Sequence, residues 1–128
     1  MKKIIPFIIM LFAGASVFAQ HVPVKLIAVI ETQVNEASGA GKDMNAAELM
    51  EITTEIRRIA VNTLPRNRFN VMTSETVLAM GGAVLEECAE ENCVITLGST
   101  IGADYIVRGT ISKFQRELSL SVEIFETE

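Results

Sequence analysis

One stretch narrows the possible folds more than any other: "VKLIAVI", Val24 to Ile30, which is apolar almost without a break, Lys25 being the exception. A strand with one wet face alternates apolar and polar residues, so an unbroken run suits a strand buried on both faces of a sheet covered by helices. The polar, Gly-rich "TQVNEASGAGKDM" that follows reads as an exposed, flexible connection. Asn45 and Glu48 then have the N-x-x-E spacing of a capping box, which predicts a helix starting there. Leu49, Ile52, Ile56, Ile59 and Thr63 recur at steps of three and four and form the expected packing stripe, and Pro65 stops the helix.

"RFNVMT" predicts a short strand over Phe69 to Thr73, with Ser74 capping a brief helix through Met80 that Gly81-Gly82 breaks. A further helix is expected from Cys93 to Ile101, with Val94, Leu97 and Ile101 on one side and Gly102 at the left-handed stop. "ADYIVRGTISKF" is β-branched and aromatic. "ELSLSVEIFE" alternates Leu118, Leu120, Val122 and Ile124 against Ser119, Ser121, Glu123 and Phe125, and the two pair as an antiparallel hairpin around Gln115 to Glu117. One face of that last strand is expected in the core. The order β-α-β-α-α-β-β makes the fold class α/β (mixed α+β), a four-stranded mixed sheet with a C-terminal antiparallel hairpin and packed helices.

The amino terminus, "MKKIIPFIIMLFAGASVFAQ", has two lysines, an apolar run and small residues before Gln20, the build of a secretory signal peptide cleaved after Ala19. The apolar run falls short of the roughly 20 residues that span a bilayer and contains Pro6. No cysteine stands at the cut to carry a lipid. Residues 1–19 are therefore signal peptide and 20–128 one domain, with nine Lys and Arg against sixteen Asp and Glu once Lys2 and Lys3 are removed, a formal charge of −7. That balance opposes binding to nucleic acid or anionic lipid, and Arg57-Arg58 and Arg66/Arg68 read as ordinary surface.

Catalytic signals fail one by one. A phosphate-binding loop at Gly41-Lys42 would need glycine at Glu36 and a hydroxyl at Asp43. His21, the single histidine, falls at the expected mature amino terminus, and Ser74, Ser99, Ser112, Ser119 and Ser121 have no positioned base. The clusters Glu86-Glu87 and Glu90-Glu91 read as solvated charge. No catalytic, cofactor or metal residue is assigned, and an enzyme is not expected. Cys88 and Cys93 are spaced C-x4-C, wider than a thiol oxidoreductase motif, and two cysteines with one distant histidine do not make a structural zinc site. In an oxidising compartment an even count favours an intramolecular disulfide, worth about 2 kcal/mol for so small a loop; free thiols and an intermolecular bond are the alternatives.

"CVITLGSTIGADYIVRGTISKFQRELSLSVEIFE" resembles bacterial envelope modules in which a cysteine-bearing loop leads to a helix, a glycine-rich turn, a strand and a hairpin. It is similar to the amino-terminal domain of the translocation protein TolB and to the α/β domain of curli-secretion proteins of the CsgG type. Leu97-Gly98, Gly102, Ala103, Asp104, Tyr105 and Gly109 carry most of the likeness, which extends over nearly all of 24–125. Gly98 permits close helix packing, Asp104 hydrogen-bonds in the turn, and Gly109 leaves room over the strand. The resemblance implies a noncatalytic, exported module of the periplasm or outer-membrane periphery that binds another envelope protein. Its contact surfaces are expected at the exposed sheet edge and the cleft near "GAGKD". The alternative is a subunit of an outer-membrane secretion or assembly complex. The sequence departs from these modules in two ways: the hairpin turn lacks glycine, and the chain stops at "IFETE", where they continue into another strand or domain.

Overall fold

The computed structural model describes residues 22–81 and 90–127. The strands are β1 (Lys25–Val29), β2 (Gln33–Val34), β3 (Phe69–Val71), β4 (Tyr105–Phe114) and β5 (Glu117–Glu126). The helices are α1 (Ala46–Thr63), α2 (Ser74–Gly81) and α3 (Glu91–Ile101). They build an α/β fold around one sheet. β1 lies between β3 and β4, parallel to both, and β2 is also parallel to β4. β5 returns antiparallel along the whole of β4, from Tyr105 opposite Glu126 to Phe114 opposite Glu117. The sheet is therefore mostly parallel and has five strands, not the expected four.

The additional strand is a continuation of the first. β5 occupies one edge of β4, so β1 and β2 share the other, and their register differs: Val29 faces Val107, whereas Gln33 faces Thr110. Four steps on one side match three on the other, the geometry of a one-residue bulge at Ile30 to Thr32. The bulge frees the Thr32 N–H from the ladder, and it donates instead to Thr53 Oγ1 of α1 at 2.8 Å. A strand of two residues has no periodicity to detect, which is why the sequence reads as loop there.

Both faces of β1 are covered. Ile27, Val29 and Val107 pack with Ile56 of α1 on one side. On the other, Ala28, Ile30 and Ile106 pack with Val77 of α2 and with Val94, Leu97 and Ile101 of α3. α1 begins where Asn45 Oδ1 accepts from the Glu48 N–H at 2.9 Å and ends at Leu64, whose ψ of 139° is extended, next to Pro65. Its buried face is turned relative to the expected stripe: Thr53 and Ile56 are buried, but Ile59 is 51% exposed and Thr63 lies at the surface. The polar demand of Thr32 pulls Thr53 inward, and Ala60 and Leu64 follow along the same side.

At α2 the cap is Thr73 and not Ser74. The Thr73 carbonyl accepts from the Val77 N–H at 3.1 Å and its hydroxyl from the Thr76 N–H at 3.3 Å. β3 accordingly ends at Val71, two residues before the expected Thr73. α3 starts at Glu91 and terminates at Gly102, where φ is 82°.

Candidate protein-binding surface

β5 departs most from expectation. Its even positions, Leu118, Leu120, Val122 and Ile124, share a face with Lys113, Ile111, Gly109 and Val107 of β4, the side that α1 covers. Ile56 of α1 packs on Val107 and lies over Gly109, and the helix covers β5 only in part. The four side chains remain 45%, 48%, 49% and 69% exposed, so the apolar face expected in the core is an open row. Phe114, where the hairpin turns, is exposed as well. Among the described residues β5 pairs with β4 alone, leaving its outer edge without a ladder partner.

The opposite face of β5 is anchored. Phe125 packs against the α3-side core, and Arg108 donates to Glu123 Oε2 at 2.8 Å with its guanidinium 5.0 Å above the Phe125 ring. Thr127 is buried and its hydroxyl donates to the Ala103 carbonyl at 2.7 Å. The end of the strand is thus held while its apolar side stays open.

The residues singled out by sequence serve this framework. A Cβ on Gly98 would stand 2.3 Å from Thr127 Cγ2 and 2.7 Å from Ile106 Cγ1, so α3 approaches the sheet as closely as it does only with glycine there. Asp104 reaches across to β1: its Oδ2 accepts from the Leu26 N–H at 2.8 Å, and its own N–H donates to the Leu26 carbonyl at 2.8 Å. Tyr105 meets Phe69 edge to face with ring centroids 6.3 Å apart, tying β4 to β3 across β1. Gly109 lies beside the bulge, where a Cβ would come within 2.8 Å of Ile56 Cδ1 and 3.1 Å of Thr32 Oγ1. Cys93 lies in the first turn of α3, and Cys88 lies outside the described residues, as do the signal segment, His21 and the pair Glu86-Glu87.

The "GAGKD" segment folds differently from the exposed, flexible connection expected. Together with the stretch just before it, it forms two 3-10 turns, Glu36–Ser38 and Ala40–Lys42, drawn onto β4. Ser38 Oγ accepts from the Lys113 N–H at 2.9 Å, Lys113 pairs with Asp43, and Ala40 is fully buried. Two hollows lie elsewhere. A groove of about 450 Å³ runs between the start of β3 and the end of α1, lined by Val61, Leu64, Phe69 and Val71. A crevice of about 360 Å³ opens beyond the end of β1 between α1 and α2, lined by Glu31, Met50, Thr54, Arg57, Ser74 and Leu78.

Arg57 is not the ordinary surface residue expected. Its guanidinium donates to the Val29 carbonyl at 2.9 Å, and burial lowers its pKa. Arg58 is surface and pairs with Glu55. Glu75, at the start of α2, is held below its ordinary value by its own backbone N–H and the Ser74 hydroxyl, with a weaker pull from Arg57. Among the described residues no three His, Cys, Asp or Glu side chains gather as metal ligands, and no helix is long and apolar enough to cross a membrane.

These features define a mostly parallel α/β sheet, helices on both faces, with one apolar strand face left open. Among solved structures the fold is similar to the C-terminal domain of LpoB from Salmonella enterica, with a TM-score of 0.52 and 14% identity over 80% of this chain and 72% of that one. At that identity the likeness is one of fold. No known family matches the sequence, and no curated protein does.

Proposed function

We propose that this chain is an exported, noncatalytic envelope module that works by protein–protein contact through the β5 side of its sheet. One observation carries the reading: a free strand edge bordered by a continuous apolar row, Leu118, Leu120, Val122 and Ile124, each about half exposed or more. An edge strand presents unpaired backbone groups, and a contiguous exposed apolar patch marks a contact site more often than bare surface. Strand addition supplies both backbone hydrogen bonds and side-chain burial.

Export rests on the leader at 1–19, which directs the protein to the periplasm or the outer-membrane periphery. There Cys88 and Cys93 close a disulfide that staples the approach to α3. Within this reading the module is of the TolB amino-terminal or CsgG-like kind, a kinship that rests on the turn from Gly98 to Tyr105, whereas the similarity of fold to a domain of LpoB supports an envelope module in general. Membership of an outer-membrane secretion pore has less support, because β4, the strand that would accompany β5 in a membrane hairpin, carries Ile106, Val107 and Ile111 in the core.

Affinity capture from envelope extract with the exported chain, run beside the Val122→Lys variant, tests the proposal. A protein held by the native chain and lost from the variant supports it. Equal capture by both, or none by either, with the chain inert and monomeric, contradicts it.

A further inference from the structure

Building on that reading, we propose that the partner of β5 is β5 of a second copy of this chain, paired antiparallel about a two-fold axis at Ser121. The hydrogen-bonding sense of the edge comes first. Thr127 N–H donates to the Asp104 carbonyl, so the odd residues of β5 direct their backbone groups at β4. By the alternation of an antiparallel ladder, Leu118, Leu120, Val122 and Ile124 direct theirs outward.

The sequence of the strand then selects a register. Centred on Ser121, an antiparallel pair sets Leu120 opposite Val122 and Leu118 opposite Ile124, twice each, with their outward backbone groups in hydrogen-bonded pairs. Directly opposed residues project to the same face, so the two apolar rows lie side by side and shield each other's flanks. On the other face Glu123 meets Ser119 and keeps its bond to Arg108, and Glu117 meets Phe125. The exposed Glu126 of one copy comes to the exposed Arg116 of the other.

Neighbouring registers lose this match. A slip of one residue puts the apolar rows on opposite faces of the joint sheet. A slip of two either sets Glu117 against Glu123 or buries Leu118 against Glu126. Like charges directly opposed on paired strands are destabilising. An isologous contact needs one patch that complements itself, and β5 does so at Ser121.

Light scattering on the exported full-length chain at tens of micromolar, together with crosslinking through one added cysteine beside the native Cys88 and Cys93, tests this. Ser121→Cys places two thiols across a non-hydrogen-bonded pair about 4.5 Å apart at Cα, within disulfide reach. Ser119→Cys faces Glu123 and serves as the register control. The expected results are a dimer, a disulfide-linked peptide joining the two copies of Ser121→Cys at position 121 after mild oxidation, no equivalent peptide from Ser119→Cys, and a monomer for Val122→Lys with unchanged circular dichroism. A monomeric native chain overturns the inference, as does a dimer that Val122→Lys leaves intact or that crosslinks at position 119. A native monomer that still captures a different protein through β5, lost in Val122→Lys, overturns the second copy as occupant and leaves the function proposed above standing.

Discussion

Thr53 and Thr32 meet where the first strand line breaks, and the pair shows how a few polar atoms set the rotation of a helix. Thr53 Oγ1 takes the Thr32 N–H, lies 2.8 Å from the Thr32 hydroxyl and is 2.9 Å from the Leu49 carbonyl. Thr53→Val keeps the shape and strands the buried Thr32 donor, so a loss of about 1–3 kcal/mol is expected in urea unfolding. Gly98→Ala drives a methyl into Thr127 and Ile106 and is expected to cost about 1–3 kcal/mol by the same measurement. Gln115, at φ 58° in the two-residue hairpin turn, occupies the place where the sequence lacks glycine. Gln115→Gly is expected to raise stability by up to about 1 kcal/mol, the relief of the left-handed strain exceeding the entropy glycine adds to the unfolded chain. Glu75 gives a pH test. Its folded pKa lies below the ordinary 4.5, so its contribution is present above that value and lost as pH falls through the folded one. Thermal unfolding of Glu75→Gln is therefore expected to vary less with pH below about 4.5 than that of the native chain.

At the scale of elements, legibility followed local signals. The doubly buried β1, the Asn45 cap, the Pro65 stop and Gly102 are all written in adjacent residues, and the structure has an element boundary or a core strand at each. What could not be read depended on partners distant in sequence. β2 is too short to show a period, and it is held against β4, where the Ile111 carbonyl accepts from the N–H of its neighbour Asn35. The loop before α1 has the composition of a flexible linker, but Ser38 and Asp43 find Lys113, separated from them by 75 and 70 positions, and fold it onto β4. The α1 stripe contained enough apolar residues for two faces, and Thr32 decided between them. β5 is the sharpest case: alternation says that it has two faces, and only the reach of α1 says that the apolar one is uncovered.

Over the whole molecule, the imbalance between sheet and helices becomes the functional statement. The helices serve the β3, β1 and β4 part of the sheet, leaving β5 held on one face and open on the other. Gly98 brings α3 down on Ile106 and Thr127, fixing the strand that carries the open row. The proposed binding surface is thus a consequence of how far the layers extend. Site-specific photocrosslinking in intact cells tests this most directly, with the photoreactive side chain placed at Val122 and, as a control, at Glu51 on the exposed side of α1. A protein adduct is expected at position 122 and none at position 51. No adduct at 122, or the same adducts from both positions, would contradict it.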